Sequence, residues 1–429
     1  MRKIVLLIII TINVFNNKCS AENKLEDVIF YNSVMNSAFG FYTEKADVLN
    51  FSFNQSLGRF TPISGNLSEM KHFFENFKNI KNKSVRIAHY GDSLILGDII
   101  TDYLREKFQQ RFGGQGVGML NIVSDDHPMR VTTQHSYSDD WKYISFLTRN
   151  PNQLPLGISC AIAIPKVGSW VKYETNSIYK SSSSFNLVKV YYSSAENNST
   201  IQYSIDGSQM TKQTLEPGSD LHELQIKAKG NSKKFYMEFV SGKSPQMYGV
   251  SLESLGNGVY IDNFPMRGNN GTSLGDIPDN LLEQYNDKLH YDLIILSFGA
   301  NVSSPNKGVF TVYENKMVNV IKKYKKAFPK TSFLLVSSSD RTQKVGSRFV
   351  TNPDVLLLLD AQKKIVEKTG IAFWNLAEMM GGKDSMDDWV NASPALALKD
   401  YAHFTQLGGS KVATFLFDAL IDAYSKFTN

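Results

Sequence analysis

The feature that most constrains the fold is a change of pattern that happens twice along the chain. Ser84 to Tyr90 read as a strand, and Gly91-Asp92-Ser93 breaks it. Ile95, Ile99, Ile100, Leu104, Phe108 and Phe112 then recur at helical spacing. From 126 to 255 the helical period disappears. Ile201, Tyr203 and Ile205 alternate, Asp206-Gly207 is a hairpin signal, and Phe235, Met237 and Phe239 alternate again. Beyond 255 strands and helices return. Leu293 to Phe298 is nearly continuously apolar, as expected of a strand covered on both faces. Tyr313, Met317, Ile321 and Tyr324 predict a helix, Ser332–Ser338 a strand, Val355–Lys368 a helix, Ile371–Trp374 a short strand and Val412–Tyr424 a last helix. Upstream, Leu67, Met70, Phe73, Phe74 and Phe77 also share one helical face, whereas 22–63 has little pattern. One α/β domain with a parallel sheet, formed by 22–125 and 256–429 and interrupted by an all-β sandwich over 126–255, accounts for both changes.

The 429 residues are 42% apolar and 20% charged, which excludes a disordered chain and a coiled coil. Met1-Arg2-Lys3, the apolar stretch from Ile4 to Ile10, and small residues at Cys19 and Ala21 predict a signal peptide over 1–21, cleaved before Glu22. The protein is therefore expected to be exported, with no stable membrane insertion after cleavage, because the apolar stretch falls short of the ~20 residues a spanning helix needs. Arg2, Lys3 and Lys18 carry three of the five net positive charges. The remaining +2 gives no electrostatic case for nucleic acid as a partner. Cleavage would leave Cys160 as the one cysteine, which excludes an intrachain disulfide and a cysteine-rich zinc site. His72, His127, His135 and His222 have no partners at metal-ligand spacing, so neither a metal nor a cofactor is expected.

Ser93 stands where a strand becomes a helix, the edge at which open parallel sheets bind ligands. A neutral serine needs a base, and the base needs an orienting partner. Asp400-Tyr401-Ala402-His403, just before the last helix, supplies an imidazole and a carboxylate that can reach the same edge. A second Asp-x-x-His, Asp287 to His290, precedes the strand at Leu293 and so belongs at the opposite edge. His89 lies inside a strand and reads as a core or supporting residue. An oxyanion needs donors, and two loops at strand ends offer them: Gly268-Asn269-Asn270-Gly271-Thr272-Ser273 and Gly299-Ala300-Asn301. Gly113 to Gly118 follows a helix and lacks a lysine, so it reads as a loop and not as a phosphate site.

Taken together, four blocks in order resemble the signature of the GDSL, or SGNH, hydrolases: Tyr90-Gly91-Asp92-Ser93-Leu94, Gly268 to Ser273, Gly299-Ala300-Asn301, and Asp400-Tyr401-Ala402-His403-Phe404. The resemblance implies a flavodoxin-like three-layer α/β/α domain. It implies Ser93 as nucleophile, His403 as base and Asp400 as its partner. The oxyanion hole it implies is the Ser93 amide, Gly271 (with Gly268 as the fallback) and the Asn301 side chain. Ala300 and Val302 depart from the threonine and acidic residue often found beside that asparagine. The predicted export and the β-rich insert are similar to bacterial peptidoglycan O-acetylesterases, whose insert resembles a carbohydrate-binding module. That likeness implies a serine esterase of the periplasm or cell envelope, with an acetylated cell-wall polysaccharide as its partner. A polysaccharide O-acetyltransferase with the same triad, and an exported glycan-binding protein without activity, are the alternatives. Tyr191, Tyr192, Tyr203 and Tyr236 read as core in preference to sugar platforms. Asp384, Asp387, Asp388 and Trp389 read as a solvated loop near the cleft, and the oligomeric state is left open.

Overall fold

The computed structural model describes residues 57–303 and 306–429; the expected signal peptide lies outside the described residues. The α/β part alternates helix and strand: α1 (Lys71–Lys78), β1 (Val85–Gly91), α2 (Thr101–Phe112), β2 (Val259–Pro265), α3 (Asp279–Leu289), β3 (Leu293–Ser297), α4 (Gly308–Ala327), β4 (Ser332–Val336), α5 (Pro353–Thr369), β5 (Ala372–Trp374) and α6 (Gln406–Thr428). The strands pair in parallel in the order β2-β1-β3-β4-β5, the doubly wound flavodoxin order, with Ser64–Gly65 antiparallel on the β5 edge. Successive side chains of each strand feed two different cores. Val85, Ile87, Leu293 and Ile295 pack with α1, α2 and α6 through Phe77, Phe108 and Leu416. Ala88, Tyr90, Ile294 and Leu296 pack with α3, α4 and α5 through Tyr285, Ile321 and Leu358. Burial on both faces is why these strands are nearly all apolar.

Two boundaries differ from the sequence reading. The stripe from Ile95 does not begin an α-helix: Ser93–Asp98 is a 3-10 turn, broken at Leu96 and Gly97, and α2 starts only at Thr101. Asp98, at φ 71°, turns its buried carboxylate onto Arg105 at 2.8 Å and 3.2 Å, a pairing a straight helix would not allow. The last helix begins earlier than Val412, at Gln406, because the Thr405 hydroxyl caps it by accepting from the Gly408 amide.

In the insertion, antiparallel pairing begins at Gly118–Leu120, upstream of residue 126, and ends with Gln246–Glu253. One five-stranded sheet contains Trp170–Thr175 and Lys234–Ser241; the second contains Phe185–Ser193, His222–Ser232 and Gln246–Glu253. Val171, Tyr173, Phe235, Met237, Val188, Val190 and Val250 fill the space between them. The second sheet is also covered on its other face. Tyr191, Tyr248 and Ile162 join the core that holds Tyr90, Phe264 and Tyr285. Tyr191 and Tyr192 are thus core residues, as read, while Tyr203 and Tyr236 are half-buried on the first sheet.

The sandwich and the parallel sheet are also joined by buried charge. The Arg86 guanidinium meets both oxygens of Glu253 at 2.7 Å and Asp262 at 3.1 Å. Burial disfavours the Glu253 carboxylate, but Arg86 and Lys189 outweigh it and hold its pKa at about 2. Removing one member of such a cluster strands the others. Arg86→Met is expected to lower the unfolding free energy by about 3–5 kcal/mol, read from urea midpoints. A loss below ~1 kcal/mol would show that Lys189 alone compensates Glu253.

Candidate active site

β1 and β3 are neighbours, but β1 connects onward to β2 on one side and β3 to β4 on the other. Their loops therefore part at the carboxyl edge of the sheet and leave a crevice there. Gly91 closes β1 where a Cβ would lie 2.9 Å from the Ser297 carbonyl oxygen, so only glycine fits between the strands. Asp92 follows and is fully buried. Its Oδ2 accepts from the Gly299 and Ala300 amides, both at 3.0 Å, and its Oδ1 accepts from the Leu94 amide at 3.0 Å. One carboxylate thus fixes the loop after β1 to the loop after β3. Burial raises the Asp92 pKa, and these amides and the His403 charge only partly oppose it.

Ser93, expected as the nucleophile, has its Oγ 2.8 Å from His403 Nε2. His403 Nδ1 lies 2.7 Å from Asp400 Oδ2. The other Asp400 oxygen accepts from the amides of Ala402 and His403, at 3.0 Å and 3.1 Å. Ser93 is thus in hydrogen-bonding line with the His403–Asp400 pair, which lies more than 300 residues further along the sequence. Burial works against a charged imidazolium at His403, but the bond and charge of Asp400, with the charge of Asp92, outweigh it and raise its pKa above the ordinary 6.5. The Arg267 charge opposes them. Burial likewise penalises the Asp400 carboxylate, yet its bonds and the nearby imidazole keep its pKa below the usual value. Between them Tyr401 adopts φ 59°, a left-handed conformation that bulky side chains avoid. The turn closes through the Leu398 amide on the His403 carbonyl at 2.8 Å, and the Phe349 ring stacks on Tyr401 at 3.8 Å.

The two remaining site residues from the sequence, Gly271 and Asn301, are brought to one residue that the sequence reading did not single out. Asn269 Oδ1 accepts from the Gly271 amide at 2.7 Å, and the Asn269 carbonyl accepts from Asn301 Nδ2 at 2.9 Å. Asn-x-Gly is a local turn signal, so the first of these contacts was legible; the second depends on the fold. Gly271 itself needs to be glycine: its φ is 89°, and a Cβ would stand 2.8 Å from the Phe298 ring. Gly268 is exposed, also at positive φ, with open space around it.

The other candidates fall outside this cluster. His89 is buried between Thr101 Oγ1 at 2.8 Å and Ser297 Oγ at 2.9 Å, and burial drives its pKa down to about 3, so it acts as a neutral brace behind β1 and β3. His290 caps the end of α3 ahead of β3, at the opposite edge of the sheet. The segment read as a solvated loop is instead a short helix, Ser385–Asn391, with Trp389 fully buried and donating to the Met380 carbonyl. Its indole is large enough to anchor the helix against Phe404. Among the described residues no group of three or more His, Cys, Asp or Glu side chains could hold a metal ion, and no helix is long and apolar enough to cross a membrane.

No family model matches the chain, and no curated protein matches it by sequence. Its structure is similar to that of a solved peptidoglycan O-acetylesterase, with 18% identity and a TM-score of 0.69 over 84% of this chain and 98% of that one. A family two carbohydrate esterase from Cellvibrio japonicus aligns over 68% of this chain and 98% of its own at 11% identity, with a TM-score of 0.27. The first likeness is one of fold, and it extends over most of both chains.

Proposed function

We propose that the protein is an exported serine esterase that removes O-acetyl groups from a cell-wall polysaccharide, peptidoglycan, through an acetyl-serine intermediate. The observation that carries this reading is the line Ser93 Oγ, His403, Asp400, with links of 2.8 Å and 2.7 Å, at the carboxyl edge of the sheet. Ser93 Oγ attacks the acetyl carbonyl carbon and its proton passes to His403 Nε2. The tetrahedral oxygen takes its hydrogen bonds from the Ser93 amide, the Gly271 amide and Asn301 Nδ2. Collapse breaks the ester bond, and the departing sugar oxygen receives the proton from His403. Water then attacks acetyl-Ser93 with His403 again as base, releasing acetate and restoring the hydroxyl.

The two donor loops are unequal. The Asn301 carboxamide has a second N–H to offer beyond the one held by Asn269. The Gly271 amide has a single hydrogen, held by Asn269 Oδ1, so it serves only after exchanging that partner. Asn301 is therefore the donor ready before the substrate arrives. The exposure of Asp400 and the half-exposure of Ser93 and His403 support water as the acetyl acceptor over a second sugar. The cell-envelope location rests on the amino-terminal signal. The role of the sandwich as a carbohydrate-binding module remains part of the same proposal.

Turnover of a chromogenic acetate ester tests the scheme. Ser93→Ala is expected to abolish it, and undiminished activity would exclude it. Asn301→Ala is expected to lower kcat roughly a hundred- to a thousandfold; a loss under tenfold would move the oxyanion site elsewhere. His403 must be neutral to accept a proton, and its pKa lies above 6.5. The kcat/KM profile should therefore fall on acidification with a midpoint above pH 6.5. Asp400→Asn should move that midpoint down, because the partner that stabilises the imidazolium loses its charge. A profile with the same midpoint in both enzymes would assign the titration to another group.

A further inference from the structure

Residues 342–351 form a hairpin that the sequence reading missed. Thr342–Val345 pairs with Arg348–Thr351 across a two-residue turn, Gly346-Ser347, in which Gly346 has φ 61°. The hairpin is fastened to the loop of Asp400 and His403. The Phe349 ring stacks on Tyr401 with centroids 3.8 Å apart and planes 10° apart, and the Thr342 amide points to the Tyr401 carbonyl at 3.4 Å. Its base is equally fixed. Thr351 donates from its hydroxyl to Asp340 at 2.9 Å and from its amide to Asp384 at 2.7 Å. Arg341, at the first corner, donates to the carbonyl of Ala300, the residue before Asn301.

The charge on this element has one sign. Residues 341–351 contain Arg341, Lys344 and Arg348 and no aspartate or glutamate. Lys344 and Arg348 are both exposed, and the Lys344 ammonium lies 5.9 Å from the centre of the Phe349 ring, the same ring that rests on Tyr401. The carboxylates at the base are held by neutral donors and keep their charge: Asp340 also accepts from the Met386 amide, Asp384 from Thr351, and Asp387 from Asn391. The Arg267 charge is felt at His403 from outside the hairpin. Arg341 also faces the charges of Asp354 and Asp92, so it is the exposed Lys344 and Arg348, on the element held beside the loop of the base, that favour an anionic ligand there.

We propose that the hairpin is a carboxylate-binding subsite, so that the enzyme acts on acetyl esters of carboxylate-bearing glycans in preference to neutral ones. The proposal rests on the esterase reading for its consequence and on Lys344 and Arg348 for its chemistry. Two ammonium or guanidinium groups on one rigid edge can meet carboxylates spaced along a glycan while the acetyl group lies at Ser93. Each contact is solvent-exposed, so the effect is modest per group and weakened by salt.

The test has two arms. In the first, kcat/KM is measured on O-acetylated alginate and on O-acetylated peptidoglycan fragments, both carboxylate-bearing, against neutral O-acetylated xylan. The wild-type enzyme is expected to prefer the charged substrates, with the preference shrinking as salt rises. K344Q/R348Q should lower the charged-to-neutral ratio about tenfold, while K344R/R348K should keep it. An unchanged ratio in K344Q/R348Q, or a wild-type ratio near one, overturns the proposal. In the second arm, binding of unacetylated uronate oligomers and neutral xylo-oligomers is measured calorimetrically on the full chain, so no turnover is involved. Weaker binding of uronate by K344Q/R348Q at an unchanged melting temperature supports the subsite even if no ester is cleaved. Equal binding of both oligomers by the wild type overturns it. Loss of turnover without loss of that binding would count against the esterase reading alone.

Discussion

The site depends first on a single buried carboxylate. Asp92 is buried away from solvent, so it must find donors inside the protein, and the three amides it finds belong to two different loops. The Leu94 amide orients the turn that carries Ser93, and the amides of Gly299 and Ala300 orient the turn that carries Asn301. A buried acceptor that loses its donors costs about 1–3 kcal/mol per group, more when charged. The spacing between the serine and the asparagine is therefore set by the desolvation of their neighbour, not by any contact between themselves. Gly91 makes this geometry accessible, because the strand ends approach too closely for any Cβ. His89 works one turn of pleat earlier in the same way, holding Thr101 and Ser297 with its two ring nitrogens.

The second determinant is the junction between the sheets. The strand Gln246–Glu253 has no solvent face: Val250 and Leu252 enter the sandwich core, while Tyr248, with Tyr191 of the neighbouring strand, faces the α/β core. Arg86 ties β1 to Glu253 and to Asp262 on β2. A β-rich stretch inserted between two strands of a parallel sheet could hang as a separate bead. Here its second sheet packs directly against the α/β core beside β1, which ends two residues ahead of Ser93.

What was legible in the sequence follows from what is local. Apolar runs at Leu293 and Ser332 announced strands buried on both faces, and the break at Gly91-Asp92-Ser93 announced the end of one. The choice of Asp400 and His403 over Asp287 and His290 needed only the order of strands and helices, and the two pairs do lie at opposite edges. Features set by distant partners were not legible. The helix expected from Ile95 fails because Asp98 turns toward Arg105, a buried pairing that apolar periodicity does not register. The hairpin at 342–351 was not legible because each strand has only four residues and the first is mostly polar and exposed, with only Gly346 to mark the turn. Asn269 reads locally as a turn residue, and the bond its carbonyl accepts from Asn301, 32 positions away, is set by the fold.

The loop of the proposed base brings these constraints together. Tyr401 holds a backbone conformation that costs of order 1–3 kcal/mol, and such a conformation persists only where its surroundings over-determine it. They do so from three directions: the Leu398 amide closes the turn on the His403 carbonyl, the Asp400 carboxylate gathers two amides and the imidazole, and Phe349 covers the tyrosine ring. The imidazole that results is more basic than a free one because Asp400 and Asp92 together outweigh its burial and the Arg267 charge. Asp92 therefore acts twice: through hydrogen bonds it sets where Ser93 and Asn301 stand, and through charge it sets how readily His403 holds a proton. A substitution there would disturb geometry and basicity at once, whereas a change at Asp400 acts chiefly on the imidazole. The two carboxylates share a sign but differ in burial, and burial makes one the frame of the site and leaves the other, at the exposed rim, its tuning element.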